Sequence, residues 1–225
     1  MNKFYFLLLL LVSSIYANAQ YDVIVAKDGT GNYTSIQAAI NAAPTGNTIP
    51  YKIFIKKGKY REKITIPSTK PFLYLIGESI NETIISYDDY SGKAGVTEIA
   101  TLTINANDCA LMELTLENSW GRQNDGPQAL ALKANADRLI FKNCRFISGQ
   151  DTVQATGNGK RQYYRNCYID GNTDHIFGSA IAVFDSCVVL NRDRIDGSTG
   201  GYFTAASTPA GQTYGYVFRD CLLPK

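Results

Sequence analysis

A chain of 225 residues can hold one medium domain or two small ones, and with 45% apolar residues it can bury a core of ordinary size. Its 22 Lys and Arg against 20 Asp and Glu leave a net charge of only +2, with no basic block and no basic patch interleaved with aromatics, which argues against nucleic acid as a partner. One histidine and five scattered cysteines argue against a zinc site; no metal and no cofactor are expected.

The chain opens MNKFYFLLLLLVSSIYANAQ. Lys3 before an apolar run, then Ala17-Asn18-Ala19 as an A-x-A cleavage signal, predicts a signal peptide over 1–19 and a domain over 20–225. The apolar run is shorter than the ~20 residues that span a bilayer, and no later stretch could cross one. The protein is therefore expected to be secreted or periplasmic, without a membrane span. GNYTSIQAAINAAP (31–44) predicts an amphipathic helix with Thr34 and Gln37 as its capping box and Pro44 as its stop. Strand alternation follows in YKIFIKKGKYREKITI, FLYLIGES, TIISYD and ATLTIN.

The cysteines then mark a repeat: NDCALM, FKNCRF, YRNCYI, FDSCVV and FRDCLL. Four carry an aromatic three residues before the cysteine (Phe141, Tyr164, Phe184, Phe218), and all carry a small polar residue just before it. The two steps from Cys144 through Cys167 to Cys187 are short and nearly equal, and the steps from Cys109 to Cys144 and from Cys187 to Cys221 are longer. A short strand with a fixed turn residue, returning every twenty-odd residues with occasional insertions, is the signature of a solenoid. The expected fold is all-β: a right-handed, single-stranded parallel β-helix with the N-terminal helix as its cap. Its cysteines are expected to stack inside as core filling rather than to form disulfides.

The same register organises the polar residues. Asp151 lies seven residues after Cys144 and Asp174 seven after Cys167, one coil apart. Gln128 lies the same step again before Asp151, and Gln150 adjoins it. The longer step from Cys109 to Cys144 calls for an insertion of roughly a dozen residues, expected in SWGRQNDG (119–126). Two carboxylates stacked on neighbouring rungs cannot both ionise easily, which separates an acid from a base or nucleophile. Glutamine amides beside them can donate to an oxyanion. Asp and Asn at coil turns can also simply satisfy backbone groups. Two Asp in register with two Gln favour chemistry.

These segments resemble the pectin methylesterases (pectinesterases). DGTGNYTSIQAAINAAP is similar to the family's opening motif, and GPQALALK to its Gln-Ala-Val-Ala-Leu motif at Gln128. SGQDTV matches Gly-Tyr-Gln-Asp-Thr-Leu at Gln150 and Asp151, and GNTDHIFG matches Asp-Phe-Ile-Phe-Gly at Asp174, with His175 in place of a Phe. The resemblance implies hydrolysis of galacturonate methyl esters in methyl-esterified homogalacturonan (pectin), with release of methanol, by a monomer. It implies Asp174 as nucleophile, Asp151 as acid and then base, Gln128 and Gln150 at the oxyanion, and Gln128 and Thr97 in contact with substrate. His175 then fills an aromatic position and is no base. The family's Gly-Arg-Pro-Trp motif is missing, and the chain ends at CLLPK, so the domain is expected to be incomplete at its C-terminus. A non-catalytic polysaccharide-binding β-helix, and a pectin glycoside hydrolase or lyase, are the alternatives.

Overall fold

The computed structural model describes residues 21–95, 97–198 and 201–224; the expected signal peptide lies outside them. Short strands separated by turns cannot close hairpins here, because every pairing is parallel. The chain instead circulates through three parallel sheets. The long sheet has eight strands, among them Leu73–Gly77, Ala110–Met112, Leu139–Lys142, Arg161–Arg165, Ile181–Asp185 and Tyr216–Arg219. A six-stranded sheet, termed the cleft sheet, runs Ile64–Ile66, Ala100–Ile104, Leu130–Ala134, Val153–Ala155, Ile176–Gly178 and Thr204–Ala206. The third, also six-stranded, contains Thr115–Asn118, Arg145–Ile147, Tyr168–Gly171 and Val188–Asn191. This is the expected parallel β-helix.

One buried core fills the space between the sheets, from Val25 to Val189. Parallel register turns the aromatic repeat into an interior stack, because Phe141, Tyr164, Phe184 and Phe218 are Cα partners on successive strands. Their rings lie 4.5, 4.6 and 4.8 Å apart and nearly parallel. Each such contact adds about 0.5–1.5 kcal/mol beyond the area buried. The small polar residue before each of these four cysteines takes the left-handed conformation: φ is 52° at Asn143, 50° at Asn166, 55° at Ser186 and 51° at Asp220. Asn and Asp tolerate this geometry because their side chains bond locally. That explains why the repeat pairs such a residue with the start of a new strand.

All five cysteines are free, four of them buried. Cys144, Cys167, Cys187 and Cys221 form the expected ladder, each thiol reaching a main-chain carbonyl on the preceding rung: those of Leu111, Phe141, Tyr164 and Phe184. Cys109 does not belong to it. Met112 pairs with Lys142, so the rung before Cys144 is occupied by Leu114, and Glu113 supplies the left-handed turn at φ 56°. Cys109 sits at the other end of its strand, after a different left-handed residue, Asp108. Two of the three turns of a coil share one local pattern, and the sequence alone merges them. The true excursion is accordingly shorter than expected: Leu102 pairs with Leu132, a step longer than that from Val153 to Ile176 but shorter than that from Cys109 to Cys144. It is placed where expected, with helix α2 (Ser119–Gln123) following the strand Thr115–Asn118.

Helix α1 (Ile36–Ala42) turns Ile36, Ala39 and Ile40 into the core. Its cap is Ser35 rather than Thr34: the Ser35 hydroxyl accepts from the Ala38 N–H. The first-turn donors Ile36 N–H and Gln37 N–H go to the Glu62 carboxylate, which acts from another part of the chain. Gln37 instead brackets the Thr65 backbone, accepting from its N–H and donating to its carbonyl.

Candidate active site

The cleft sheet presents a turn immediately before each of two successive strands, and each turn ends in an aspartate. Asp151 stands two residues before Val153 and Asp174 two before Ile176, and these strand residues are partners. Gln150 and Thr173 form a bridge between the turns, and the Asp151 N–H donates to the Thr173 carbonyl. The two aspartates are therefore in register on adjacent rungs, about 4.8 Å apart at the strand spacing. Both take positive φ, 67° and 49°. No side chain or backbone N–H among the described residues donates to either carboxylate, although both are partly buried. Burial first, and the charge of Asp174 second, push the Asp151 carboxyl up to about 7.

Neighbouring groups fix these turns. Gly149, before Gln150, lies so close to the Gly121 carbonyl that a Cβ there would collide with it and would come within 2.6 Å of the Asn124 carbonyl. Asp125, in the loop after α2, accepts from the Asn172 amide (2.8 Å) and from the N–H groups of Ile195 and Asp196 (2.9 Å each). Arg194 donates to the Thr173 hydroxyl at 3.1 Å. The loop after α2 and the segment 194–196 thereby hold the residues just before Asp174.

Gln128 does not follow the expected register. Leu132 pairs with Val153, a step two residues shorter than that from Val153 to Ile176, and the Ala129 N–H donates to the Gln150 carbonyl. By strand count Leu130, not Gln128, is level with Asp151. The coil after the excursion through α2 is shortened, and simple counting assumes that it is not. Gln128 still reaches the same place: a cleft of about 290 Å³ is lined by Gln128 and Asp151 together with Thr97, Glu98, Lys133 and Phe177. The Gln128 side-chain carbonyl accepts from the Ser91 hydroxyl at 2.7 Å, which turns its amide N–H₂ away from Ser91. Gln150 is half-buried, its amide oxygen close against Gly126. Thr97 is exposed at the rim.

His175 is fully buried, its ring tilted against Phe203 at 5.5 Å, and it lines no part of the cleft. Neither ring nitrogen has a hydrogen-bond partner among the described residues. Burial holds it down at about 4, so it is neutral at physiological pH. Tyr164 belongs to the interior stack, and Tyr163 faces an apolar groove on the long sheet, between Ile140 and Val183, away from both aspartates. Among the described residues no three His, Cys, Asp or Glu side chains converge as metal ligands would.

Sequence reading missed Ser91, Glu98, Lys133 and Asp125. Each acts through a contact 35 or more residues away in the chain, and none lies in a pattern that repeats.

A pectinesterase family model matches residues 22–224, and the chain belongs to that family. It is 37% identical over 202 residues to "Probable pectinesterase 56" of Arabidopsis thaliana, covering 89% of this chain and 68% of the relative. It superposes on a pectin methylesterase from carrot with a TM-score of 0.84 at 29% identity, over 92% of this chain and 64% of that one. A pectin methylesterase in complex with a hexasaccharide superposes with a TM-score of 0.80 at 32% identity, over 92% of this chain and 67% of that one. The chain thus spans about two thirds of these proteins, and 35% of a longer Arabidopsis thaliana relative.

Proposed function

We propose that the chain hydrolyses methyl esters of galacturonate in pectin by acyl transfer to Asp174. The observation that carries this reading is the pair of in-register aspartates, unpartnered by any cation among the described residues, with Asp151 raised to about 7. Raised to about 7, the Asp151 carboxyl still carries a proton in a large share of molecules near neutral pH, which is what an acid needs. The Asp174 carboxylate attacks the C6 carbonyl carbon, and a tetrahedral oxyanion forms. The amide N–H groups of Gln128 and Gln150 donate to it without adding charge. The C–OCH₃ bond then breaks while Asp151 gives its proton to the departing methoxide, which leaves as methanol. Asp151, now a carboxylate, takes a proton from water, and the hydroxide attacks the same C6 carbon of the acyl-enzyme. Collapse returns Asp174 and releases the free galacturonate.

In this scheme Thr97 touches the polymer at the rim, and His175 packs without exchanging protons. The chain acts as a monomer outside the cell or in the periplasm, where the leader over 1–19 would deliver it to a polymer that cannot cross a membrane. The test is methanol release from highly methylated pectin with reducing ends followed in parallel. The expected result is methanol without new reducing ends, abolished by Asp174→Ala. New reducing ends would indicate a glycosidase or lyase instead. Polymer binding without methanol would indicate a binding module.

A further inference from the structure

The cleft holding Gln128 and Asp151 contains a second pair of charges that the ester chemistry does not use. Lys133 Nζ donates to Glu98 Oε2 at 2.7 Å, and both side chains are about a third exposed. Glu98 is fixed in place: its other oxygen accepts from the Ile99 and Ala100 N–H groups at 3.0 and 3.1 Å, and Lys63 donates to its main-chain carbonyl. Burial pushes the Glu98 carboxyl up, but the bonds from Lys133 and these N–H groups outweigh it and hold it below its ordinary value. Lys133 carries three N–H donors and gives one to Glu98, so two remain for a ligand.

The position of Lys133 matters as much as its charge. It is the Cα partner of Thr103 and of Gln154, and Gln154 is the partner of Phe177. The outward side chains of Lys133, Gln154 and Phe177 therefore form a row along the helix axis, beside the row that ends in Asp151 and Asp174. Lys133 lines the same cleft as Asp151, so a polymer reacting at the aspartates would pass within its reach. In a galacturonan the feature that varies from unit to unit is the C6 group, either a carboxylate or its methyl ester.

Resting on the esterase reading above, we infer that Glu98 and Lys133 form a charge-reading subsite for the C6 group of a galacturonate next to the one attacked. Lys133 attracts a free carboxylate there. Glu98 tempers that attraction, so the paired site accepts either form of the unit. Removing either partner exposes the charge of the other, and the two removals act in opposite directions. A role in packing alone would move both the same way.

The experiment is calorimetric binding of an unesterified oligogalacturonide to the full chain, where no ester is present and turnover plays no part. Lys133→Gln should weaken binding roughly fivefold and Glu98→Gln should tighten it roughly threefold, as fits a partly exposed ion pair, with both shifts shrinking at high salt. Lys133→Arg should stay within about twofold of the parent because the charge is kept. Shifts of the same sign, no shifts, or no binding by the parent chain would overturn the subsite. Methanol release by the parent, measured alongside, keeps the two readings apart. Opposite shifts without methanol sink the esterase and leave the subsite standing; methanol with shifts of one sign does the reverse.

Discussion

Aspartates occupy two kinds of place in this β-helix. On the long sheet, Asp185 accepts from Arg219 (2.6 Å) and from the Tyr163 hydroxyl, and Asp137 accepts from Arg161 and Arg138 at 2.7 Å each. At the turns before the cleft-sheet strands, Asp151 and Asp174 meet no cation among the described residues, and the charge of Asp174 acts on Asp151. The backbone does not make the difference, since Asp108 shares the left-handed turn of the cleft pair yet is clamped by Arg138 through both oxygens. What differs is the neighbour on the next rung. Stacked coils repeat whatever they carry, so a carboxylate beside a guanidinium on the next rung is held ionised, and one beside another carboxylate is pushed up.

Breaking the cleft pair should have the largest effect. Asp174→Ala is expected to lower methanol release by about 10³-fold or more, as loss of a nucleophile does. Asp151→Asn removes the acid and should cost roughly 10²- to 10⁴-fold. A loss under tenfold in either variant would remove that residue from the chemistry.

The next effect lies in the interior. Phe184→Ala opens the aromatic stack between Tyr164 and Phe218 and should destabilise the fold by about 3–5 kcal/mol. Chemical denaturation measures it, and a change below about 1 kcal/mol would mean the stack is not a working part of the core.

The two kinds of aspartate should also give opposite pH slopes. Asp185 is held well below its ordinary value, by Arg219 first and Tyr163 next, so its stabilisation is present above the ordinary carboxylate range and is lost as pH falls through the folded value. Asp151 is raised, so the folded state loses stability as pH climbs from about 4 to about 7. Asp185→Asn should therefore lower the melting temperature at pH 7, while Asp151→Asn should raise it at pH 8 and change little at pH 4. Slopes of one sign would erase the distinction.

The smallest effect is expected at His175. Its folded value of about 4 lies below the ordinary value of 6.5, so its neutral burial costs stability as pH falls from 6.5 towards 4. His175→Phe should remove that acid-side loss, visible in melting curves at pH 5, and keep most activity. Near-complete loss of activity would make His175 a participant.

Much of this was legible in the sequence because a solenoid writes its register as a spacing. The one-coil step from Asp151 to Asp174 is a strand pairing, and the aromatic before each cysteine of the ladder is a stacked ring. The two errors of register share one origin. Cys109 and Gln128 were counted across the excursion through α2, where a long coil (Leu102 to Leu132) is followed by a short one (Leu132 to Val153). Cys109 also follows a left-handed Asp, as Cys221 does, but at a different turn of the coil. The Glu98–Lys133 pair was invisible because a side-chain contact so distant in sequence leaves no periodic trace.

The most direct measurement is a carbon-13 titration of the Asp151 carboxyl in the parent chain and in Asp174→Asn. The account predicts an apparent value near 7 in the parent that falls, without reaching the ordinary carboxylate value, once the charge of Asp174 is gone and burial alone remains. An Asp151 that titrates near 4 in both proteins would mean that its carboxyl is not raised, and the proposed chemistry would lose its acid.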